Sequence, residues 1–250
     1  MTPEIDAAFD LIRQEYGAGS IDRVEAMLDP TRQNRHPLQH KARWIMPGLS
    51  HRPWHDPYEH AEIRPVVLAF EDAHAAVKAE LATAWERRRT AFSEYPHYHF
   101  GEQQEWQSLH LYQDGRLTDA ATELVPTAAR ILRETAVATG AMCPLLESFF
   151  STLLPGAIVK PHCDLWNFTI NLHFAVDIPD GCGVSVAHET RSWQEGRCLL
   201  FDYSFEHEVW NKGTRTRTVL ITDLWHPETT IPERAALVAL VREIRALTGE

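Results

Sequence analysis

Hydrophobic and polar residues alternate along much of the C-terminal half of the chain, a period that is typical of half-buried β-strands. The segment 168–176 has two distinct faces, with Ile170, Leu172 and Phe174 on the apolar one and Thr169, Asn171 and His173 on the polar one. Turn signals separate such segments at Pro155-Gly156, Pro179-Asp180-Gly181, Glu195-Gly196 and Asn211-Lys212-Gly213. Many short strands between regular turns favour a sandwich or barrel over β-α-β units.

Segments in which apolar residues have helical spacing precede, interrupt and follow the strand-rich part of the chain. The pattern predicts, in chain order, helices over 4–16 and 20–28, an irregular segment over 29–58, a helix over 64–89, a strand over 106–112, a helix over 124–139 and a last helix over 232–248. We therefore expect a mostly β protein with flanking helices. The predicted organisation is a single domain over 1–250, in which a helical and irregular part, 1–100, packs on a core formed by 106–227.

Composition and charge argue against several classes of partner. The chain has 24 Lys and Arg against 35 Asp and Glu, and its net charge of −11 disfavours nucleic acid or an anionic membrane surface as the main partner. No apolar run is long enough to span a membrane, and the first residues lack the regions of a signal peptide. The four cysteines form no C-x-x-C pair, which argues against a cysteine zinc site and fits a reducing compartment. We expect a cytoplasmic protein.

The chain contains 14 histidines, an unusual number for an acidic protein. His162 and Asp164 form an H-x-D pattern, and His207 follows at a distance. Two histidines and one carboxylate are the facial triad that binds non-haem Fe(II) and leaves three positions for a cosubstrate and oxygen. The histidines in the segments 51–55 and 97–99 are interpreted as structural.

Arg217 lies in a strand-like segment, where it shares a face with Val219 and Ile221. An arginine in this apolar setting is either a packed edge residue or the anchor for a carboxylate. A guanidinium can hold a carboxylate with two parallel hydrogen bonds, which a lysine cannot match. The spacing alone leaves both interpretations open.

The segment from Phe149 to Pro227 resembles the aspartyl/asparaginyl β-hydroxylase family of Fe(II)- and 2-oxoglutarate-dependent oxygenases. The residues that carry the resemblance are Ser151, Pro155-Gly156, Lys160-Pro161-His162, Asn171-Leu172-His173, Gly181-Cys182, the run from His188 to Gly196, the run from Phe201 to Trp210, and the run from Asp223 to Pro227. A weaker similarity extends back through Trp106-Gln107 to the segment 47–54. The resemblance implies a double-stranded β-helix, a cupin-like jelly roll, for the core at 106–227.

The resemblance also implies roles for individual residues. His162 and His207 correspond to the two iron-binding histidines of the family. Arg217, with Ser151 as its partner, corresponds to the arginine that holds the distal carboxylate of 2-oxoglutarate, and His173 to a histidine that lines the same pocket. The implied cofactor and cosubstrates are Fe(II), 2-oxoglutarate and O2, with ascorbate as an activator in vitro.

Two features depart from the pattern of the animal family members. Those proteins have a glycine where this chain has Asp164, which we predict to complete the iron triad; a turn or neighbouring aspartate is the alternative. They also have arginines, which receive an acidic substrate side chain, at the positions of Thr169 and Asn171. The two neutral residues weaken the case for an aspartyl substrate. Asn171 is expected to hydrogen-bond a substrate amide or hydroxyl, or the cosubstrate.

The predicted function is hydroxylation of a C–H bond, at the β-carbon, of an amino-acid, peptidyl or related acyl substrate, with succinate and CO2 as co-products. One alternative is a jelly-roll module that binds a metal or small molecule without turnover. It is disfavoured because all the expected site residues are present: Ser151, His162, Asp164, His173, His207 and Arg217. A second alternative is a zinc-dependent cupin-like enzyme, because the same triad suits zinc; Arg217 disfavours it.

Overall fold

Two packed β-sheets form the centre of the protein, whose computed structural model describes residues 2–94 and 106–248. The described strands are β1 (Trp54–His55), β2 (Ser93–Glu94), β3 (Trp106–Gln113), β4 (Arg116–Leu117), β5 (Ser148–Leu153), β6 (Ile158–His162), β7 (Thr169–Asp177), β8 (Cys182–Val186), β9 (Glu189–Arg191), β10 (Cys198–Phe201), β11 (His207–Asn211) and β12 (Arg217–Trp225). The larger sheet has the order β1-β10-β7-β12-β5-β3-β2, with β4 beside β3, and the smaller sheet has the order β6-β11-β8-β9.

From β5 to β12 the chain crosses repeatedly from one sheet to the other. β5, β7, β10 and β12 belong to the larger sheet, whereas β6, β8, β9 and β11 belong to the smaller one. Every pairing within the two sheets is antiparallel. This winding is that of a double-stranded β-helix, so the predicted fold class, a jelly roll with flanking helices, is confirmed.

Helices cover the outer face and one end of the larger sheet. The described α-helices are α1 (Pro3–Tyr16), α2 (Asp22–Leu28), α3 (Arg64–Asp72), α4 (His74–Arg87), α5 (Asp119–Leu124), α6 (Pro126–Leu132) and α7 (Ile231–Thr248). Residues Arg133–Val137 continue α6 as a π-helical turn. No helix in the part of the chain that the structure describes is long and apolar enough to cross a membrane.

Two of the predicted helices differ from the helices of the structure. The helix predicted over 64–89 is broken at Ala73, and the break places the imidazole of His74 against the Val176 carbonyl of β7 at 2.9 Å. No glycine or proline marks this break in the sequence. The helix predicted over 124–139 begins at Pro126 and runs through the π-helical turn to Val137. A further helix that was not predicted, α5, ends just before Val125, because Pro126 disfavours helical geometry in the residue before it.

The strand β7 separates the helical layer from the interior of the jelly roll. Ile170, Leu172 and Phe174 point outward and pack with the helices, and the Phe174 ring stacks on Phe70 of α3 at a centroid distance of 5.3 Å. Burying each such side chain contributes about 1.5–3 kcal/mol. The opposite face of β7 carries Asn171 and His173 into the space between the sheets. The alternation seen in the sequence therefore predicts both faces correctly.

His226 follows β12 and is fully buried. Burial, together with the neighbouring charge of His55, lowers the pKa of His226 from 6.5 to about 3. Below pH 6.5 the unfolded chain binds a proton at His226 that the folded chain does not bind. Protonation therefore favours the unfolded chain, and the folded chain loses stability as the pH falls below 6.5. We expect His226 to make the free energy of unfolding about 2 kcal/mol lower at pH 5 than at pH 7.

Urea unfolding at the two pH values, in the presence of a chelator, measures this effect. His226→Asn should remove about 2 kcal/mol from the pH dependence, while His51→Asn, a change at an exposed histidine, should keep the parent's dependence. An unchanged pH dependence in His226→Asn would contradict the assignment.

Candidate active site

His162 and His207 face each other at one end of the smaller sheet. They are paired in the antiparallel register of β6 and β11, and their ring centroids are 4.1 Å apart. The Nδ1 of His162 donates to the Lys160 carbonyl at 2.7 Å, and the Nδ1 of His207 donates to the Phe205 carbonyl at 2.9 Å. These bonds fix the tautomer of both rings, so Nε2 carries the lone pair that a metal ion requires.

Asp164 lies beside the two histidines, directly after β6. Its backbone N–H donates to the Tyr203 carbonyl at 3.0 Å, which orients the segment that follows the strand. Its Oδ2 is 3.9 Å from the Nε2 of His162 and 3.5 Å from that of His207. An ion about 2.0–2.2 Å from each ligand holds ligand atoms up to about 4 Å apart, so the three residues fit one ion. The His₂-carboxylate set matches the Fe(II) facial triad as well as zinc.

Arg217 is a buried cation with an exposed fraction of 2%. Its guanidinium donates to the Ser151 carbonyl at 3.2 Å, reaches the Ser151 hydroxyl at 3.4 Å, and lies 4.6 Å from the centre of the Trp193 ring. Within the described residues, Nε has no hydrogen-bond partner and the guanidinium has no carboxylate within ion-pair distance. Burial lowers the pKa of Arg217 to about 9. An anionic ligand would relieve this uncompensated charge, so the site fits a carboxylate.

His173 is the second buried polar group of this region without a described partner. Neither ring nitrogen forms a hydrogen bond within the part of the chain that the structure describes. The ring lies parallel to Trp193 at 6.0 Å and edge-on to Phe201 at 4.7 Å. Burial, with further contributions from Arg217 and His207, holds the pKa of His173 well below its usual range, so the imidazole is neutral. Buried polar atoms of this kind normally have partners, and a polar ligand would provide them.

One cavity of about 500 Å³ brings all of these residues together. Its lining includes every residue that the sequence predicts for the site: Ser151, His162, Asp164, Asn171, His173, His207 and Arg217. The larger sheet supplies the residues around Arg217, and the smaller sheet and its following turn supply the two histidines and Asp164. The space between the sheets can therefore hold a metal ion at one side and an anion at the other.

Thr169 and Asn171, at the positions where the resemblance implies arginines in the animal proteins, are both engaged with neighbours. Asn171 donates from Nδ2 to the carboxylate of Asp223. The Thr169 hydroxyl lies 2.6 Å from the Tyr203 hydroxyl and accepts from the indole of Trp166 at 2.9 Å. Neither position supplies a cation to the cavity.

Asp223 and Trp193 are site residues that the analysis of the sequence does not single out. Asp223 is buried and lines the cavity, and its position on β12 differs from that of Arg217 by an even number of residues. The same alternation that places Arg217 inward could therefore have found it. Trp193 precedes β10 in a loop, where no period applies, and only its place in the resemblance points to it.

Comparison with known proteins establishes the family. A family model described as aspartyl/asparaginyl β-hydroxylase matches residues 71–227, the stretch that contains all seven predicted site residues. The chain belongs to the aspartyl/asparaginyl β-hydroxylase family.

Curated relatives of this family match most of the chain but exceed it in length. The mouse aspartyl/asparaginyl β-hydroxylase is 32% identical over 194 residues, which are 77% of this chain and 26% of that protein. The mouse aspartate β-hydroxylase domain-containing protein 1 is 39% identical over 132 residues, 52% of this chain and 36% of that protein. The chain thus spans about a quarter of the mouse β-hydroxylase. Among solved structures, a Pseudomonas putida prolyl-4-hydroxylase is 15% identical with a TM-score of 0.42, over 61% of this chain and 87% of that one.

Proposed function

We propose that this member of the β-hydroxylase family is an Fe(II)- and 2-oxoglutarate-dependent oxygenase that hydroxylates a C–H bond of an amino-acid, peptidyl or related acyl substrate. The observation that carries the proposal is the content of the cavity between the two sheets. It holds a His₂-carboxylate cluster and, in the same space, a buried arginine with no described carboxylate partner. The cluster would bind a metal ion, and a dicarboxylate would compensate the charge of the arginine.

The three metal-type residues would hold the iron. His162 and His207 present Nε2, since their Nδ1 atoms are bonded to carbonyls, and Asp164 offsets part of the positive charge. Iron(II) with 2-oxoglutarate supplies the oxidising chemistry when bound: one atom of O2 enters succinate as CO2 leaves, and the other enters the substrate C–H bond. The protein contributes the position of the reactants and the exclusion of water.

The distal carboxylate of 2-oxoglutarate would bind at Arg217. The guanidinium can donate two parallel hydrogen bonds to it, and the Ser151 hydroxyl lies beside the guanidinium. Trp193 covers one face of the guanidinium and stacks with His173, so it holds in place the two side chains that would face the cosubstrate. His173 would serve as a neutral hydrogen-bond donor or acceptor to it.

The substrate would be recognised differently from that of the animal relatives. The names of those relatives specify aspartyl and asparaginyl residues. Of the two positions on β7, this chain offers the amide of Asn171, paired with Asp223, to the cavity, whereas Thr169 is buried against Tyr203 and Trp166. We propose a substrate whose reacting part is recognised by neutral hydrogen bonds, with oxidation at its β-carbon.

The proposal is tested by adding Fe(II), 2-oxoglutarate and ascorbate to the purified chain, with panels of free amino acids, peptides and acyl thioesters. Mass spectrometry reads a gain of one oxygen atom in the substrate, and succinate is measured in parallel. We expect some panel members to raise succinate formation at least tenfold above the substrate-free rate. Iron and 2-oxoglutarate that yield no succinate under any condition would overturn the proposal.

A further inference from the structure

A second group of metal-ligating side chains lies outside the active-site cavity. It consists of His55 on β1 and of Glu59 and His60 in the turn that follows. Their ligand atoms all lie within 4.8 Å of one another, and none of the three residues lines the cavity. The catalytic proposal therefore leaves this cluster unused.

Two of the three distances within the cluster are close to those around a single ion. The Nδ1 of His55 is 3.3 Å from the Nε2 of His60, and that Nε2 is 3.1 Å from an Oε1 of Glu59. Ligand atoms at about 2.0–2.1 Å from a tetrahedral zinc ion are about 3.3–3.4 Å apart. The His55–His60 and His60–Glu59 pairs are close to this spacing, and the ligand atoms of His55 and Glu59 lie within 4.8 Å of each other.

Hydrogen bonding alone does not satisfy the cluster. A neutral imidazole has one N–H and one lone pair. If the Nε2 of His60 carries the proton, that one proton must be shared between the Nδ1 of His55 and the Glu59 carboxylate. His55 then carries its own proton on the buried Nε2, which has no acceptor in the described residues. If His55 donates to His60 instead, the lone pair of His60 faces the Glu59 carboxylate. A cation between the three ligand atoms removes the shared proton and the contact between the His60 lone pair and the Glu59 carboxylate, while the Nε2 of His55 keeps its proton.

His226 and Arg52 lie on opposite sides of the cluster. His226 packs edge-on against His55 at a ring distance of 5.3 Å and closes the protein side. Its Nδ1 accepts from the Glu228 backbone, so its own buried Nε2 is an N–H without a described acceptor. On the solvent side, Arg52 contacts the Oε1 of Glu59 at 2.8 Å, and a carboxylate oxygen can serve both a metal ion and such an outer partner.

We propose that His55, Glu59 and His60 form a second metal site, which binds a divalent transition-metal ion of the zinc type. Two neutral imidazoles and one carboxylate are a ligand set for zinc, with a fourth position open to water. The ion would join β1 at the edge of the larger sheet to the turn that leads into α3. It would thereby hold residues 55–60 in place.

The test separates the two metal sites by removing the first. In a His162→Ala/His207→Ala chain, we expect one Zn(II) per molecule after dialysis, measured by elemental mass spectrometry, and a d–d absorption band with Co(II). Adding His60→Ala should abolish both signals, and adding Glu59→Gln should weaken Zn(II) binding at least tenfold. The matched change His51→Ala, at an exposed histidine of the same segment, should leave one ion bound.

Zn(II) should also raise the thermal midpoint of the His162→Ala/His207→Ala chain, but not after His60→Ala. Glu59 is 36% exposed, so Glu59→Gln tests the site even where His60→Ala unfolds the protein. Absence of bound metal in the His162→Ala/His207→Ala chain, or metal that survives His60→Ala, would overturn the proposal. Because the first site is absent from every variant, the result is independent of the catalytic proposal.

Discussion

Replacing His162 or His207 by alanine is expected to reduce succinate formation more than 100-fold. Each imidazole is one of three protein ligands around the proposed iron, and its Nε2 has no substitute among the other described residues of the cluster. Even the loss of an outer partner of a metal ligand lowers affinity or activity by about 10–100-fold. The measurement is succinate by mass spectrometry at saturating Fe(II), together with the iron content of each variant.

His40→Ala is the matched control, because its side chain is largely exposed and does not line the cavity. It should retain parental turnover. Parental succinate formation in either ligand variant would exclude an iron site at these histidines.

Asp164 allows a finer test within the same assay. If its carboxylate is the third ligand, Asp164→Gly should lower the apparent affinity for Fe(II) at least tenfold, as Asp164→Asn also should. An Asp164→Gly chain with parental iron affinity and turnover would show that two histidines suffice.

Arg217→Lys is expected to raise the KM for 2-oxoglutarate at least tenfold while changing kcat much less. An ammonium keeps the charge but cannot donate two parallel hydrogen bonds to one carboxylate, and it loses the planar contact with Trp193. The measurement is steady-state succinate formation over a range of 2-oxoglutarate concentrations. Arg215→Lys, an exposed change just before the same strand, should leave the KM unchanged.

Arg217→Met separates binding from folding in the same experiment. A buried cation without a described counter-ion is unfavourable for stability, so a methionine of similar length should unfold at an equal or higher urea concentration than the parent when 2-oxoglutarate is absent. The same variant should not be stabilised by added 2-oxoglutarate, whereas the parent should be. An unchanged KM in Arg217→Lys would assign Arg217 a packing role only.

Strand periodicity predicts much of the fold and of the candidate site, because the buried faces of a sheet have a strict period of two. It places Asn171 and His173 inward, and the structure brings them to the same cavity as Arg217. For Arg217 the pattern leaves a packed edge residue and a carboxylate anchor equally open. Burial beside Ser151 and Trp193 now supports the anchor, although its binding role stays a prediction.

Other features depend on contacts between distant segments and leave no local trace. The break at Ala73 accompanies a contact of His74 with β7. No residue near position 73 predicts this contact. The sequence pattern leads to a structural interpretation of His55 alone. Glu59 and His60 come close to it only because a turn follows β1. The segment His97-Tyr98-His99, interpreted in the same way, lies outside the described residues.

The two faces of β7 have different roles. Its outward residues hold the helices, while its inward residues form the chemical surface of the cavity, and neighbouring positions along the strand belong to different layers. A substitution at Asn171 or His173 therefore changes the cavity directly and reaches the packed helices only through neighbouring residues. Substrate preference and architecture can evolve separately on this strand, which offers a physical route by which members of one family diverge in specificity while keeping a common fold.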